Sequence, residues 1–403
     1  MWRIGYDTNM ALAKKKLQTL DDLPVDGKKV LVRVDFNVSV GDDQNINEFE
    51  DYRMEAALPT INELRQRRCK ILLLTHFGRP QEQDGSFDLA PVRRRLEELI
   101  GEEVKQTKKL TGPEVETALT SAEPGGVILL PNVRTDDREE MGNEKFAHEL
   151  AANADVYVNE CFSVSHRAHT SVAFVPHLLP ACAGRRTALE VQVLENLRAK
   201  PAHPYVAIAS GAKISSKIGL LRDLITKVDT LCIAGQLANV FLAAQGKYPV
   251  ERFGADEIAA AQSLLHANAD KILLPVDVII GEPDGSNHTT VSVDAIPADV
   301  VGSWDIGSQS VENIIIACQA AKTVLWNGPV GKFEVPAYAV ATSELAKRLA
   351  EVPAYRVVGG GDTVNAIEQQ RVKRKYDHIS TGGGAMIEFM EGKRMPGLEP
   401  LYQ

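Results

Sequence analysis

Cysteine is scarce and scattered. The 403 residues hold five, Cys69, Cys161, Cys182, Cys232 and Cys318, with no C-x-x-C pair or Cys/His cluster, which disfavours a structural zinc site and leaves them as reduced core thiols. No apolar run has membrane-spanning length. The longest uncharged stretch, 230–246, is broken by Gly235, Gln236 and Asn239 and reads as a buried strand turning into a helix. A secretory signal is also missing: residues 1–12 carry Arg3 and Asp7 without an apolar segment, which predicts a cytoplasmic address, and Met10 is an alternative start because nothing before it is periodic. Positive charge is not in excess. Lys plus Arg number 45 against 54 Asp plus Glu, a formal charge of −9, so no global field favours nucleic acid or an anionic membrane. Any anionic ligand must be met by a local cluster.

What is present is ordinary globular material. Hydrophobic residues make up 44% and charged residues 25%, and the length predicts two or three domains at roughly 150 residues each. Short β-branched and apolar runs alternate with 3.6-period segments throughout, the α/β signature. Strands are predicted at 30–36, 71–75, 127–130 and 156–158, and again at 206–209, 231–234, 272–274, 323–325 and 356–358, with helices such as 53–67 and 89–99 between. The runs are nearly all apolar, as parallel strands covered on both faces should be. Residues 185–200 are good helix formers stopped by Pro201 and Pro204. The predicted fold is two doubly wound parallel-sheet (Rossmann-like) domains, 1–184 and 201–385, joined by the 185–200 helix and a hinge across a cleft, with a tail, 386–403, that packs back on the first domain.

Ligands of open α/β sheets sit beyond the carboxyl ends of the strands. Here Arg33, Asp35 and Asn37 close the first strand, His76 and Arg79 the second, Arg134 the third, while His166, Arg167 and His169 follow the fourth. Any one arginine could be a solvated loop residue or a surface ion pair. Repetition at four strand ends points instead to a small polyanionic substrate gripped by guanidinium forks. Asp35 and Asn37 offer acceptors for a substrate hydroxyl, although Asp35 could equally neutralise Arg33 or another neighbouring cation.

The second half has a different set. SGAKISSK (210–217) follows a strand and opens a helix, with Lys213 and Lys217 four positions apart, where like charges repel unless an anion lies between them. VVGGGDT (357–363) is a strand leading through a glycine turn into a helix, a phosphate cradle of N–H groups. Asp362 beside it either meets Mg2+, which takes one or two carboxylates plus phosphate oxygens, or serves as the helix N-cap. No Walker A loop is present, since Lys332 is followed by Phe333. Nor is there a dinucleotide fingerprint, because Gly359-x-Gly361 and Gly382-x-Gly384 lack the third small residue, which disfavours an NAD-dependent dehydrogenase.

Taken in order, RVDFN (33–37), HFGRP (76–80), HRAH (166–169), GAKISSK (211–217), LPVD (274–277), WNGPVGKFE (326–334), GGGDT (359–363) and STGGGA (380–385) resemble phosphoglycerate kinase over nearly the whole chain. The resemblance implies a cytoplasmic, glycolytic monomer that transfers a phosphoryl group reversibly between 1,3-bisphosphoglycerate with ADP and 3-phosphoglycerate with ATP, using Mg2+ and closing on a hinge. It puts the triose site on Asp35, Asn37, Arg53, His76, Arg79, Arg134 and Arg167, with Arg53 as the transition-state arginine, a residue that pattern alone does not mark. It puts the nucleotide site on Gly211, Lys213, Lys217, Asn327, Glu334, Gly359, Gly360, Gly361, Asp362 and Thr363, with Glu334 facing the ribose and Asp362 facing Mg2+. Arg53, Lys213 and Lys217 then carry catalysis by positioning and charge stabilisation, with no general base.

The chain departs from that pattern in places. Pro131-Asn132-Val133-Arg134 stands where the family usually has ENLR, removing the carboxylate that supports Arg134, and Asn159-Glu160-Cys161-Phe162-Ser163 stands for NDAFG. Ser210, Ala234, Gln236, Ser308 and Gln309 are further changes. The expectation is that they tune nucleotide fit or closure; a relative that binds both ligands but turns over poorly is the alternative.

Overall fold

The structure, a computed structural model, describes residues 15–41, 45–46, 51–78, 88–211 and 217–403. Met10, Arg79 and Lys213 lie outside them. The chain divides into two units, Met1–Gln192 with Gly392–Gln403, and Val193–Glu391.

In the first unit the apolar runs form β1 (Lys29–Val34), β2 (Lys70–Leu74), β3 (Val104–Gln106), β4 (Val127–Leu129), β5 (Val156–Glu160) and β6 (Ala181–Ala183), ordered β3-β4-β2-β1-β5-β6 with every pair parallel. Register places Val32 beside Leu73 and Val158. Alternate residues, Val30, Val32 and Val34 with Ile71, Leu73 and Val156, pack against Met54, Ile61 and Leu64 of α1 (Tyr52–Gln66) and Val92 and Leu96 of α2 (Ala90–Ile100). The intervening Leu31, Leu72, Ile128 and Tyr157 are equally buried. Both faces are therefore covered, which is why these strands read as continuous apolar runs.

The second unit contains β7 (Tyr205–Ala209), β8 (Thr230–Ile233), β9 (Ile272–Leu273), an antiparallel trio of β10 (Asp277–Ile280), β11 (Thr289–Ser292) and β12 (Ser303–Ile306), then β13 (Thr323–Asn327), β14 (Tyr355–Gly359) and β15 (His378–Ile379). The parallel sheet runs β15-β14-β13-β7-β8-β9. Its core joins Val206, Ile208, Val324 and Trp326 to Val311, Ile314 and Ile315 of a flanking helix.

Helix α3 (Arg185–Ala199) carries the chain from one unit to the other, and the division falls inside it. Its first turn is tied to β5 and α1 by hydrogen bonds, whereas Val193, Leu194 and Leu197 are buried in the part that groups with the second unit.

Candidate active site

Four strand ends of the first sheet meet around Arg33 and Asp35. Arg33 is 1% exposed and its guanidinium is spent inward: Nε donates to Ser171 Oγ at 2.8 Å, Nη1 to Val34 O at 2.6 Å, and Nη2 lies 3.3 Å from His76 Nδ1. Behind it, buried Glu139 accepts from Ser171 N at 2.9 Å and Ser171 Oγ at 2.6 Å. The countercharge of Arg33 is thus Glu139, relayed through one hydroxyl, and not Asp35. Asp35 instead pairs with Arg53 Nη1 at the start of α1, and accepts from Ser163 Oγ at 2.6 Å and Asn37 N at 3.2 Å. Burial alone would raise the Asp35 carboxyl, but Arg53, His76 and Ser163 hold it at about 2. It stays charged at any working pH.

The remaining strand-end groups sort by charge. Burial, then Arg33, pushes His76 well below its ordinary range, and burial with Arg134 and Arg167 brings His169 to about 4, so both are neutral imidazoles and not members of the cation set. Arg134 is buried, donates from Nη1 to Gly78 O at 2.8 Å, and has Glu140 Oε1 at 3.3 Å from Nε, a carboxylate supplied after the Arg134 turn and not before it. Its pKa is pulled down by burial and by Arg33 and Arg167, against Glu140. Arginines that depress one another leave a field that an anion would relieve. Asn132 fixes the spacing: its Oδ1 accepts from Phe77 N and Arg134 N, both at 3.1 Å, and its Nδ2 donates to Phe77 O at 2.6 Å. Asn37, exposed, accepts from Gly78 N at 2.8 Å through Oδ1.

Asp35, His76 and Cys161 place ligand-type atoms within 4.8 Å of one another, but their protonation does not suit a metal. A guanidinium can only donate, so His76 Nδ1 accepts from Arg33 and Nε2 carries the proton, facing Asp35 Oδ1 at 4.0 Å. Burial pushes the Cys161 thiol up to about 11, and Asp35 is already committed to Arg53 and Ser163.

The second sheet gathers its own cluster at the ends of β7, β13 and β14. Lys217 reaches back to the sheet, where Nζ donates to Ser210 O and, at 2.7 Å, to Asn327 Oδ1. Burial lowers its pKa to about 8, against the opposing pull of Asp362. Gly211, at φ +140°, lets it pass, since a Cβ there would stand 3.0 Å from Lys217 Cε. Asn327 is buried and, among the described residues, its Nδ2 has no hydrogen-bond partner. That donor faces the glycine turn, 3.4 Å from where a Cβ on Gly359 would stand and 3.5 Å from one on Gly360. Gly328 N donates to Thr363 Oγ1 at 2.9 Å, tying the β13 turn to the helix α6 (Gly361–Gln369), which follows α4 (Ser308–Gln319) and α5 (Val340–Leu349) along the chain. The N-cap of α6 is Gly360, at φ +97°. Asp362 is therefore not the cap, and its exposed carboxylate in the first turn suits a hard cation that shares phosphate oxygens. Glu334 is exposed on the segment after β13.

A model of the family described as phosphoglycerate kinase matches residues 20–393. The chain belongs to the phosphoglycerate kinase family. It is 43% identical over 398 residues to the phosphoglycerate kinase of Pelotomaculum thermopropionicum, covering 97% of this chain and 99% of that protein. Among solved structures, that of phosphoglycerate kinase from Coxiella burnetii matches with a TM-score of 0.81 at 33% identity over 96% of this chain and 99% of the other. Phosphoglycerate kinase from Pyrococcus horikoshii matches with a TM-score of 0.85 at 26% identity, over 96% and 98%. The family is one of phosphotransferases with two parallel-sheet α/β domains, as the two sheets here show. A phosphoglycerate kinase relative with weakened turnover draws no support from these matches. Ser163, Glu139, Ser171 and Asn132 were not assigned to the site from the sequence; Asn132 and Ser163 carried a signal, standing in the strand-end segments after β4 and β5, and Glu139 and Ser171 carried none.

Proposed function

We propose that the chain transfers a phosphoryl group from 1,3-bisphosphoglycerate to ADP, reversibly, giving 3-phosphoglycerate and ATP. Family membership names the reaction, and the geometric observation that carries it is Asn327 Nδ2, a buried donor without a partner among the described residues and facing a glycine turn beside Lys217. Such a group is costly unless an acceptor arrives, and a nucleotide phosphate supplies one.

Asp35 and Asn37 are assigned to the triose hydroxyl, and His76, Arg79, Arg134 and Arg167 to its phosphate and carboxylate. Arg53, oriented by Asp35, and Lys213 grip the migrating phosphoryl group. Gly211, Lys217, Asn327 and the turn of Gly359, Gly360, Gly361 and Thr363 hold the nucleotide phosphates, and Glu334 meets the ribose. Asp362 would hold Mg2+, which when bound neutralises charge on the phosphate oxygens. No side chain has to move a proton, because the acceptor carboxylate of 3-phosphoglycerate is already ionised. Catalysis is positioning, charge stabilisation and exclusion of water.

The working unit is read as a monomer, as the family resemblance implies. The five cysteines are all free and buried, which fits the reducing cytoplasm. Among the described residues no helix is long and apolar enough to cross a membrane. The test is ATP formation from 1,3-bisphosphoglycerate and ADP by the purified chain. Turnover that requires Mg2+ is expected; a folded protein that forms no ATP overturns the reading.

A further inference from the structure

Helix α3 is capped from outside itself. Gly184, just before it, has no side chain to offer, and the first three helical N–H groups go to other elements. Arg185 N donates to Thr60 Oγ1 at 2.7 Å, Arg186 N to Glu160 Oε1 at 3.0 Å, and Thr187 N to Glu160 Oε2 at 3.1 Å. Thr60, on α1, in turn donates to Glu160 Oε1 at 2.5 Å. Helix N-termini leave such donors orphaned, and a carboxylate there also opposes the positive end of the dipole. A Cβ on Gly184 would collide with the Glu160 carboxylate, so the glycine is what lets Glu160 reach the helix.

We propose that Glu160 is a positioning residue for the transfer: its carboxylate locks the end of β5, which leads into the 161–169 loop, to the first turn of α3, which leads into the second unit. The proposal rests on assigning Arg167 of that loop to the substrate.

The groups facing Glu160 are few. From α3 there is Arg186, paired with Glu190 at 2.9 Å, and Arg185, turned to Asp21 and Glu63; from β6, Cys182, a thiol raised by burial to about 12; from β1, the apolar Val34; from α1, Thr60. Burial outweighs the hydrogen bonds, and Glu160 titrates at about 7. The closed cap therefore binds a proton more tightly than an opened one, in which the carboxyl returns towards 4.5, so the cap is held shut most firmly below neutrality and that hold is lost as the pH rises through about 7.

Hydrogen exchange of the Arg186 and Thr187 amides, corrected for intrinsic rate, tests this in the wild-type chain. Protection is expected to rise about fivefold or more between about pH 8 and about pH 6, as Glu160 takes up its proton in the closed cap. Over the same interval kcat should rise while KM for 3-phosphoglycerate holds. Glu160→Gln, always neutral, should flatten both trends; Glu160→Asp should keep them. Flat amide protection in the wild type, or a wild-type kcat profile in Glu160→Gln, overturns the proposal. Should Glu160→Gln fail to fold, the wild-type amides and Glu160→Asp still decide. A wild type without ATP-forming activity sinks the assigned function and leaves the amide result standing.

Discussion

Arg53 and Lys217 are both half-buried cations, but they are held in opposite ways. Arg53 has a carboxylate partner, and Asp35 raises its affinity for the proton; among the described residues Lys217 donates to neutral oxygens, and it lies at about 8. Arg53→Ala should lower kcat about 10³-fold, by analogy with arginine fingers. It should also cost about 3 kcal/mol, because Asp35 is left buried without its cation. Arg53→Lys should recover most of the melting temperature and little of kcat, since a lysine lacks the planar fork. The Asp35 pKa is lowered from 3.8 to about 2, so its contribution to stability is present above 3.8 and lost as the pH falls towards 2. That acid limb should vanish from the Arg53→Ala melts, and kcat within about tenfold of wild type would mean Arg53 is misassigned. For Lys217, kcat/KM for nucleotide should decline as the pH rises through about 8, where the free enzyme loses the ammonium. Lys217→Arg should remove that decline, and an unchanged limb would assign it to another group. Sequence could point to these residues because they sit in motifs at strand ends. It could not separate Glu139, fully buried, from Glu140, exposed beside it: the two are neighbours in one acidic run, and only the packing of Ser171 against Arg33 decides which is internal.

Three strand carboxylates perform the same local task. Glu160 on β5 caps α3. Asp277 on β10 accepts from Gln309 N at 3.1 Å and Ser310 N at 2.8 Å at the start of α4, and Asp305 on β12 accepts from Ala341 N at 3.1 Å at the start of α5. The residues preceding those helices are Gly184, Gly307 and Ala339, none with a side-chain acceptor. The LPVD aspartate is thus a helix cap. Cross-element caps leave no S/T-x-x-E signature, so they are invisible in a chain-local reading. The trio β10, β11 and β12 escaped for a related reason: β11 (TTVS) is mostly exposed and polar, unlike the buried parallel strands whose apolar runs announced them. Asp305, 2% exposed, is raised by burial from 3.8 to about 8. Its stabilising effect is full below 3.8 and lost as the pH rises through 8, because the folded state binds the proton more tightly. Asp305→Asn, always neutral, gives up one acceptor, about 1 kcal/mol at low pH. The stability gap to wild type should then close as the pH climbs from about 4 to about 8, read from denaturant melts. A constant gap would show that Asp305 does not take up a proton on folding.

At the scale of the whole molecule, the second unit is a continuous insertion, 193–391, within a first unit whose own last segment, Gly392–Gln403, arrives only at the end of the chain. That segment is built into the first unit: Gln18 N donates to Leu401 O at 2.8 Å, Gln403 N to Lys16 O at 3.0 Å, Gly397 N to Ser165 O at 2.9 Å, and Asn159 Nδ2 to Gly397 O at 2.9 Å. Met395, Leu398 and Leu401 are buried there, each contributing about 1.5–3 kcal/mol. Their sum is comparable to the 5–15 kcal/mol, roughly, that holds a domain folded. Two of the anchors, Asn159 and Ser165, also flank the loop that presents Ser163 to Asp35. Deleting residues 392–403 should therefore lower amide protection across β1, β2 and β5 and raise KM for 3-phosphoglycerate, while protection across β7, β13 and β14 and the affinity for nucleotide persist. Equal loss in both sheets would show that the first unit does not depend on its late segment more than the second does, and that the chain unfolds as one body.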